Sequence, residues 1–376
     1  MFMPIGSTSM RVGIYIDRMD LRGGAQRVVS NLCHGWNRRG WSVHLIVVSG
    51  DKPAFPIPAA VREHRLAARH KRRGLMGLWD NWSHVRSLSR VVRDERLDAV
   101  LAVSAVANIH LAQADLPARV VRVGSEHSYA PHFPLPFYKE SFRRRAYPQL
   151  DAVVCPTEEA ADHLARTYPG ARAKGIPNWL TWPLPKGDGL ASPDIRRPGR
   201  KVFLASGRFD KLKGFGRLIA MFEGLKQRLP DWDLVIVGDG EDRELLEAQV
   251  TRARLEDRVF FPGWVSDMEP IFRSADLFVF PSVSEGFALV LAEAMACGLP
   301  CLAYDCKVGP SEIIRDGVDG VLIPVGDEPA FSAAMSRLAG DEAARRRLAA
   351  ACPAILTRLS EDAVQPSWAK VLGSKR

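Results

Sequence analysis

The chain has 376 residues, of which 47% are apolar and 25% charged, too many for one ordinary hydrophobic core and typical of a two-domain globular protein. No run of 18 apolar residues occurs, the first ten residues lack a charged-then-apolar leader pattern, and the six cysteines are widely spaced. A membrane span, a secretory signal and a disulfide scaffold are therefore not expected, whereas reduced thiols in a cytoplasmic chain are. The net charge of +9 is lopsided, with +11 on the first 190 residues and −2 on the rest, which points the first half toward an anionic partner, phosphate-rich or lipid.

In chain order, a strand pattern at 11–16 leads through a Gly-Gly turn into a helix at 25–39 and a second strand at 42–48. Further buried strands are expected at 99–103, 120–123 and 152–155. Five prolines and an absence of periodicity across 177–200 mark a linker, placed at 181–200. The alternation then restarts, with strands at 201–205, 233–237, 259–261, 277–280 and 299–304 and a helix near 216–228. The polar tail from 341 reads as two helices. Strands alternating with helices predict α/β architecture, a doubly wound parallel sheet built twice. The boundaries expected are 1–180 for the first domain, 201–358 for the second, and a C-terminal helix at 359–376 returning to the first.

The strongest chemical signal is Pro281-Ser-Val-Ser-Glu285-Gly-Phe-Ala-Leu-Val-Leu-Ala-Glu293, followed by Ala-Met-Ala-Cys-Gly-Leu-Pro300. Between Phe287 and Cys297 the one charged residue is Glu293, and an isolated carboxylate in an apolar helix costs several kcal/mol unless it is hydrogen-bonded. Eight residues separate the two glutamates, close to two helical turns, so the spacing predicts one shared face with about 12 Å between them. A second signal is Ser206-Gly-Arg208-Phe-Asp-Lys-Leu-Lys213-Gly214 after a strand, where two cations and two glycines make an anion cradle. Gly23 and Gly24 join a strand to a helix whose N-terminus offers free amides. His127 follows another strand's C-terminal end. Cys297, Cys301 and Cys306 lack zinc-site spacing, and no metal is expected. Gly238-x-Gly240 has Arg243 in place of the third glycine of a dinucleotide fingerprint, and Asp231-x-Asp233 reads as a turn.

The 285–300 segment resembles the Glu-x7-Glu motif of the family 4 retaining glycosyltransferases of GT-B fold, in which two Rossmann-like domains face each other across a cleft. The resemblance spans residues 11–370 and is strongest after Lys201, where 303–317 also reads like the branch that builds bacterial polysaccharides and lipid-linked oligosaccharides. It implies that Glu285 holds the donor sugar's hydroxyls and Glu293 the ribose hydroxyls, with Gly286, Phe287, Ala288 and Leu289 lining the donor. Ala288 stands where the family usually has glycine. Arg208 and Lys213 take the diphosphate by the same resemblance, Gly263, Trp264 and Val265 the base, and Gly23 and Gly24 the diphosphate and acceptor. His127 is similar to the family's active-site histidine, which the resemblance implies would contact the donor sugar.

The reaction so implied moves a hexose or N-acetylhexosamine from a UDP- or GDP-sugar to a hydroxyl of a glycan or a lipid-linked (polyprenyl diphosphate) acceptor. Configuration is retained, without metal or other cofactor, in cell-envelope polysaccharide or lipopolysaccharide assembly. Two basic-aromatic clusters suggest contact with an anionic membrane at the inner face of the plasma membrane: Arg69 to Arg73 before Leu75, Met76, Leu78, Trp79 and Trp82, and Arg143 to Arg145 beside Phe142 and Tyr147. The competing classes are a sugar-nucleotide epimerase of the same fold and a basic nucleic-acid-binding protein. The second lacks any helix-turn-helix, aromatic ribonucleoprotein motif or zinc finger, so no nucleic-acid partner is expected.

Overall fold

The computed structural model describes residues 10–66, 75–127, 135–185 and 192–375, with the side chains of 75–80 left aside. The chain divides into two compact units, Met1–Trp179 with Glu361–Arg376, and Leu180–Ser360. The first holds a seven-stranded parallel sheet of β1 (Arg11–Arg18), β2 (Ser42–Ser49), β3 (Arg62–Arg65), β4 (Ala99–Val103), β5 (Val121–Ser125), β6 (Ala152–Cys155) and β7 (Ala173–Gly175). Its spatial order is β3-β2-β1-β4-β5-β6-β7. The second holds β8 (Lys201–Ser206), β9 (Trp232–Val237), β10 (Val259–Gly263), β11 (Leu277–Phe280), β12 (Cys301–Asp305) and β13 (Val321–Pro324), in the order β10-β9-β8-β11-β12-β13.

Both sheets reverse their winding once, between β1 and β4 and between β8 and β11. At such a reversal the flanking helices diverge to opposite faces and leave a crevice beyond the strands' carboxyl ends, where α/β proteins bind ligands. The inner strands are apolar because both faces are covered: all five residues of β4 and all four of β11 are buried. Helix Gly24–Arg38 buries Val28, Val29, Leu32, Cys33 and Trp36 against the first sheet. Each fully buried side chain of this size contributes about 1.5–3 kcal/mol.

The sequence reading left out β3, β7 and β13. These are short edge strands, paired on one side only, and Arg-Glu-His-Arg in β3 carries no apolar alternation. The described parts of the expected linker, 181–185 and 192–200, belong to the second unit. Leu180, Leu184 and Ile195 are buried with Phe272, Phe278 and Phe280. Arg197 and Arg200, near the end of this stretch, close on Asp233. That carboxylate is 1% exposed and accepts two hydrogen bonds from Arg197 (2.9 and 2.8 Å), with further ones from Arg200 and Arg258. A buried carboxylate is tolerated only with such partners.

Glu361–Leu372 forms a helix in the first unit. Trp368 stands edge-on to Trp36 at 5.8 Å, Trp36 Nε1 donates to Gln365 Oε1 at 3.0 Å, and Lys375 pairs with Asp151 at 2.8 Å. None of the described helices is long and apolar enough to cross a membrane.

Candidate active site

In the second unit, the loops leaving β8 and β11 flank the reversal and are stitched together. Asp210 accepts from the amides of Leu212 (3.0 Å) and Lys213 (3.2 Å), winding 211–213 into one short helical turn. Gly214 follows at φ +71°, and a Cβ there would lie 2.3 Å from the Pro281 carbonyl oxygen, so only glycine lets the two loops meet. Val283 N–H donates to the Leu212 carbonyl at 2.9 Å. Lys213 runs its stem past Gly207, sets its ammonium 5.8 Å from the centre of the Phe280 ring and places Nζ 2.6 Å from Glu285 Oε1. Lys213 and Glu285 side chains are 20% and 9% exposed, so the pair is partly shielded yet open to a ligand on one side.

Arg208 lies on the same loop but points outward, 71% exposed and paired with Asp210 at 2.8 Å. It pairs there with Asp210 and does not reach the Lys213–Glu285 pair. Gly238 and Gly240 form a packing turn: a Cβ at either would strike the carbonyl of Gly207 (1.9 Å) or of Phe209 (2.4 Å). Gly263, Trp264 and Val265 are half-buried at the end of β10, on the same carboxyl edge of the sheet.

The expected shared face for Glu285 and Glu293 does not form. The helix begins at Leu289, so Glu293 lies on it and Glu285 lies in the preceding loop. The loop breaks the helical count because Ala288 takes the left-handed conformation, φ +63° and ψ +49°. Glu293 is 8% exposed among Leu291, Ala292, Ala294 and Met295. Gly309 abuts the same loop, its hypothetical Cβ 2.9 Å from the Phe287 carbonyl, and keeps the backbone of 286–288 in place.

In the first unit, Gly23 is the N-cap of helix Gly24–Arg38 with no side-chain cap, and a Cβ on Gly24 would meet nothing within 4 Å. With no side-chain cap, the first-turn amides of this helix are left without an intrahelical partner. Two strands away, His127 ends the β5 segment, its Nε2 2.8 Å from Ser125 Oγ. Its surroundings desolvate the ring and push the pKa down to about 4, so the imidazole is neutral at physiological pH.

Two features here escaped sequence reasoning. Glu126 is buried, accepts from the Tyr147 hydroxyl and has Arg143 Nη1 at 3.7 Å; burial pushes its carboxyl up to about 7 against the opposing pull of Arg143. Ser104, directly after β4, is exposed at φ +109°, a strained conformation for a non-glycine residue that sits beside the winding reversal. A serine between an apolar strand and a helix was the available signal, and its Oγ does cap Ala107 N at 3.3 Å.

The basic-aromatic clusters separate on inspection. Arg69 to Arg73, and the side chains of Leu75, Met76, Leu78 and Trp79, lie outside the described residues; Trp82 is exposed, with Arg86 over its ring at 5.2 Å. Arg143 and Tyr147 turn inward, contrary to expectation. Arg143 is 4% exposed, pairs with Glu140 at 3.2 Å and stacks on Tyr168 at 4.8 Å. The solvent face of helix Phe137–Ala146 instead carries Phe137, Tyr138, Phe142, Arg144 and Arg145.

Comparison with known proteins places this geometry. Residues 22–180 match the family model described as Glycosyltransferase Family 4, and residues 192–353 the model described as Glycosyl transferases group 1. The chain is 26% identical over 341 residues to the amylovoran biosynthesis glycosyltransferase AmsD of Erwinia amylovora, covering 90% of this chain and 92% of that one. It is 27% identical over 349 residues to the lipopolysaccharide core biosynthesis glycosyltransferase LpsD of Rhizobium meliloti, covering 92% and 94%. Among solved structures, Anabaena Alr3699/HepE in complex with UDP-glucose superposes with a TM-score of 0.77 at 21% identity, over 96% of this chain and 99% of the other.

Proposed function

We propose, from the premise that this chain belongs to the family 4 glycosyltransferases of GT-B fold, that it transfers a hexose or N-acetylhexosamine from a UDP- or GDP-sugar to a hydroxyl of a glycan or lipid-linked acceptor. The transfer retains anomeric configuration, needs no metal, and serves cell-envelope polysaccharide or lipopolysaccharide assembly. The names of the relatives support that setting. The observation that carries the reading is the Lys213–Glu285 pair at 2.6 Å, lodged where the winding of the second sheet reverses.

As the glycosidic bond breaks, negative charge grows on the leaving diphosphate. Preorganised cations at that point lower the barrier more than any other device available here. Lys213, fixed by the Asp210 turn, supplies one such charge, and Arg208 swings from Asp210 to supply another. Glu285 orients Lys213 and accepts hydrogen bonds from sugar hydroxyls. Glu293 takes the ribose hydroxyls, and Gly263, Trp264 and Val265 the base. Neutral His127 is suited to hydrogen-bond an uncharged sugar rather than to act as an acid. The acceptor proton leaves with a donor phosphate oxygen. Arg144 and Arg145 with Phe137, Tyr138 and Phe142 suit an anionic lipid surface carrying the acceptor.

The test is a donor screen without added metal, following nucleotide release and the anomeric configuration of the product. Transfer from one donor, reduced by two to three orders of magnitude in Glu285→Ala, is the expected result. Full activity in that variant removes Glu285 from the site. A product of inverted configuration overturns the retaining assignment, and a freed epimer formed without acceptor favours the epimerase.

A further inference from the structure

Toward the amino ends of the first unit's strands, opposite the edge that carries Gly24 and His127, lies a cluster that glycosyl transfer does not use. His44 on β2, His64 on β3 and Glu95, just past helix Leu75–Asp94, bring one ligand atom each within 4.8 Å of one another. His44 Nδ1 and His64 Nε2 are 3.1 Å apart with ring planes 12° from parallel. The Glu95 carboxylate oxygens stand 3.8 Å from the first and 4.0 Å from the second. His44 is 2% exposed, while His64 and Glu95 side chains are 20% and 27% exposed, so the cluster is sheltered but reachable.

Three observations converge. The outer nitrogen of His44, Nε2, meets Ser42 Oγ at 3.2 Å, which fixes the ring and turns Nδ1 toward the cluster. A hydrogen bond on the non-ligating nitrogen is how metal-binding histidines are oriented. The scale is close: donors bound to a tetrahedral zinc at about 2.0–2.2 Å stand roughly 3.3–3.6 Å apart, while here one atom from each residue already lies within 4.8 Å of the other two, with the two nitrogens at 3.1 Å and Glu95 Oε2 at 3.8 Å from His44, so a turn of the Glu95 side chain closes the set. Finally, the competing partner is loosely held. Arg62 Nη1 reaches Glu95 at 3.1 Å, but its side chain is 69% exposed and can withdraw into water at little cost.

We infer that His44, His64 and Glu95 form a site for a divalent transition-metal ion, zinc in the first instance, with water completing its coordination. Two imidazoles and one carboxylate suit such borderline cations rather than calcium or magnesium. The ion ties the four-residue edge strand β3 to β2 and to the chain leaving helix Leu75–Asp94, and so acts as a clamp on the sheet edge. It plays no part in sugar transfer.

The full-length chain, stripped with chelator, is titrated with zinc by calorimetry and with cobalt by visible absorption, and melted with and without zinc. One equivalent bound, a tetrahedral cobalt spectrum and a rise in Tm of several degrees are expected. His64→Ala and Glu95→Gln, both at partly exposed positions, should each weaken binding at least about tenfold and abolish the Tm rise. Arg62→Ala should keep or strengthen it. No stoichiometric binding in the unaltered chain overturns the proposal, and so does zinc binding that is unchanged in both His64→Ala and Glu95→Gln.

Discussion

The two units share a strand order around the winding reversal but build their carboxyl-edge loops in opposite ways. In the second unit the loops after β8 and β11 hold each other through Gly214 against Pro281, Val283 on Leu212, and Lys213 on Glu285. In the first, Gln26 packs close to Gly23 while the space beside Gly24 is open, and His127 meets Ser125 beside the buried network of Glu126, Tyr147 and Arg143. Short-range backbone fit fixes one site, and a buried polar network fixes the other. The first kind depends on residue size, the second on protonation.

The sharpest way to break this contrast is to add one methyl group to each unit. Gly214→Ala places a Cβ 2.3 Å from a backbone oxygen at φ +71°, and neither the β8 loop nor Pro281 can yield without separating the pair. Left-handed strain of about 1–2 kcal/mol plus the clash predicts a loss of about 3 kcal/mol, seen as a lower urea midpoint, with transfer rate falling as Lys213 leaves Glu285. Gly24→Ala, with nothing within 4 Å, should change stability by under about 1 kcal/mol. Equal effects at the two positions would dissolve the distinction.

The network of the first unit answers to pH instead. Glu126 has its folded pKa near 7, above its ordinary 4.5, because burial disfavours the charged form. The folded state therefore holds an extra proton between those values. The stability contribution is full below about pH 4.5 and is lost as pH rises through 7, by roughly 3–4 kcal/mol at most. His127 and His110, pushed down to about 4, slope the other way, gaining stability from pH 4 to 6.5. Subtracting wild type from Glu126→Gln isolates the carboxyl. The variant's relative stability should climb between pH 5 and 8, and a flat difference would show that Arg143 keeps Glu126 charged throughout.

These two modes also explain what the sequence disclosed. The buried strands were legible because their constraint is local, an apolar run between turn residues, and the loops after β8 and β11 could be placed by their glycines. Edge strand β3 was not, since Arg-Glu-His-Arg is held by pairing with β2 rather than by burial. Glu126 drew no notice because its partners Arg143 and Tyr147 lie 17 and 21 residues away. Arg143 was read as part of a membrane-facing cluster for the same reason: a tripled arginine does not reveal that one member faces inward. The helical count linking Glu285 to Glu293 failed because 285–288 stay outside the helix, with Ala288 left-handed just before it, a break no spacing rule anticipates.

Ala288 also supplies the finest test, with the smallest expected effect on stability. Its left-handed backbone costs about 1–2 kcal/mol, and Ala288→Gly relieves that. Glycine returns about 0.5–1 kcal/mol as extra freedom in the unfolded chain, and losing the buried methyl costs about 0.8 kcal/mol more. The terms nearly cancel, so Tm should stay within a few degrees of wild type. Stability is then a poor reason for an alanine at this point, and its methyl, on the backbone that precedes helix Leu289–Ala296, becomes a candidate for reading the donor sugar. One methyl group in a pocket discriminates between ligands by roughly tenfold. Ala288→Gly should therefore shift the kcat/KM ratio between two epimeric donors by about that factor while Tm holds. A large drop in Tm would make the methyl a packing element of the β11 loop, and an unchanged ratio would remove the Ala288 methyl from donor selection.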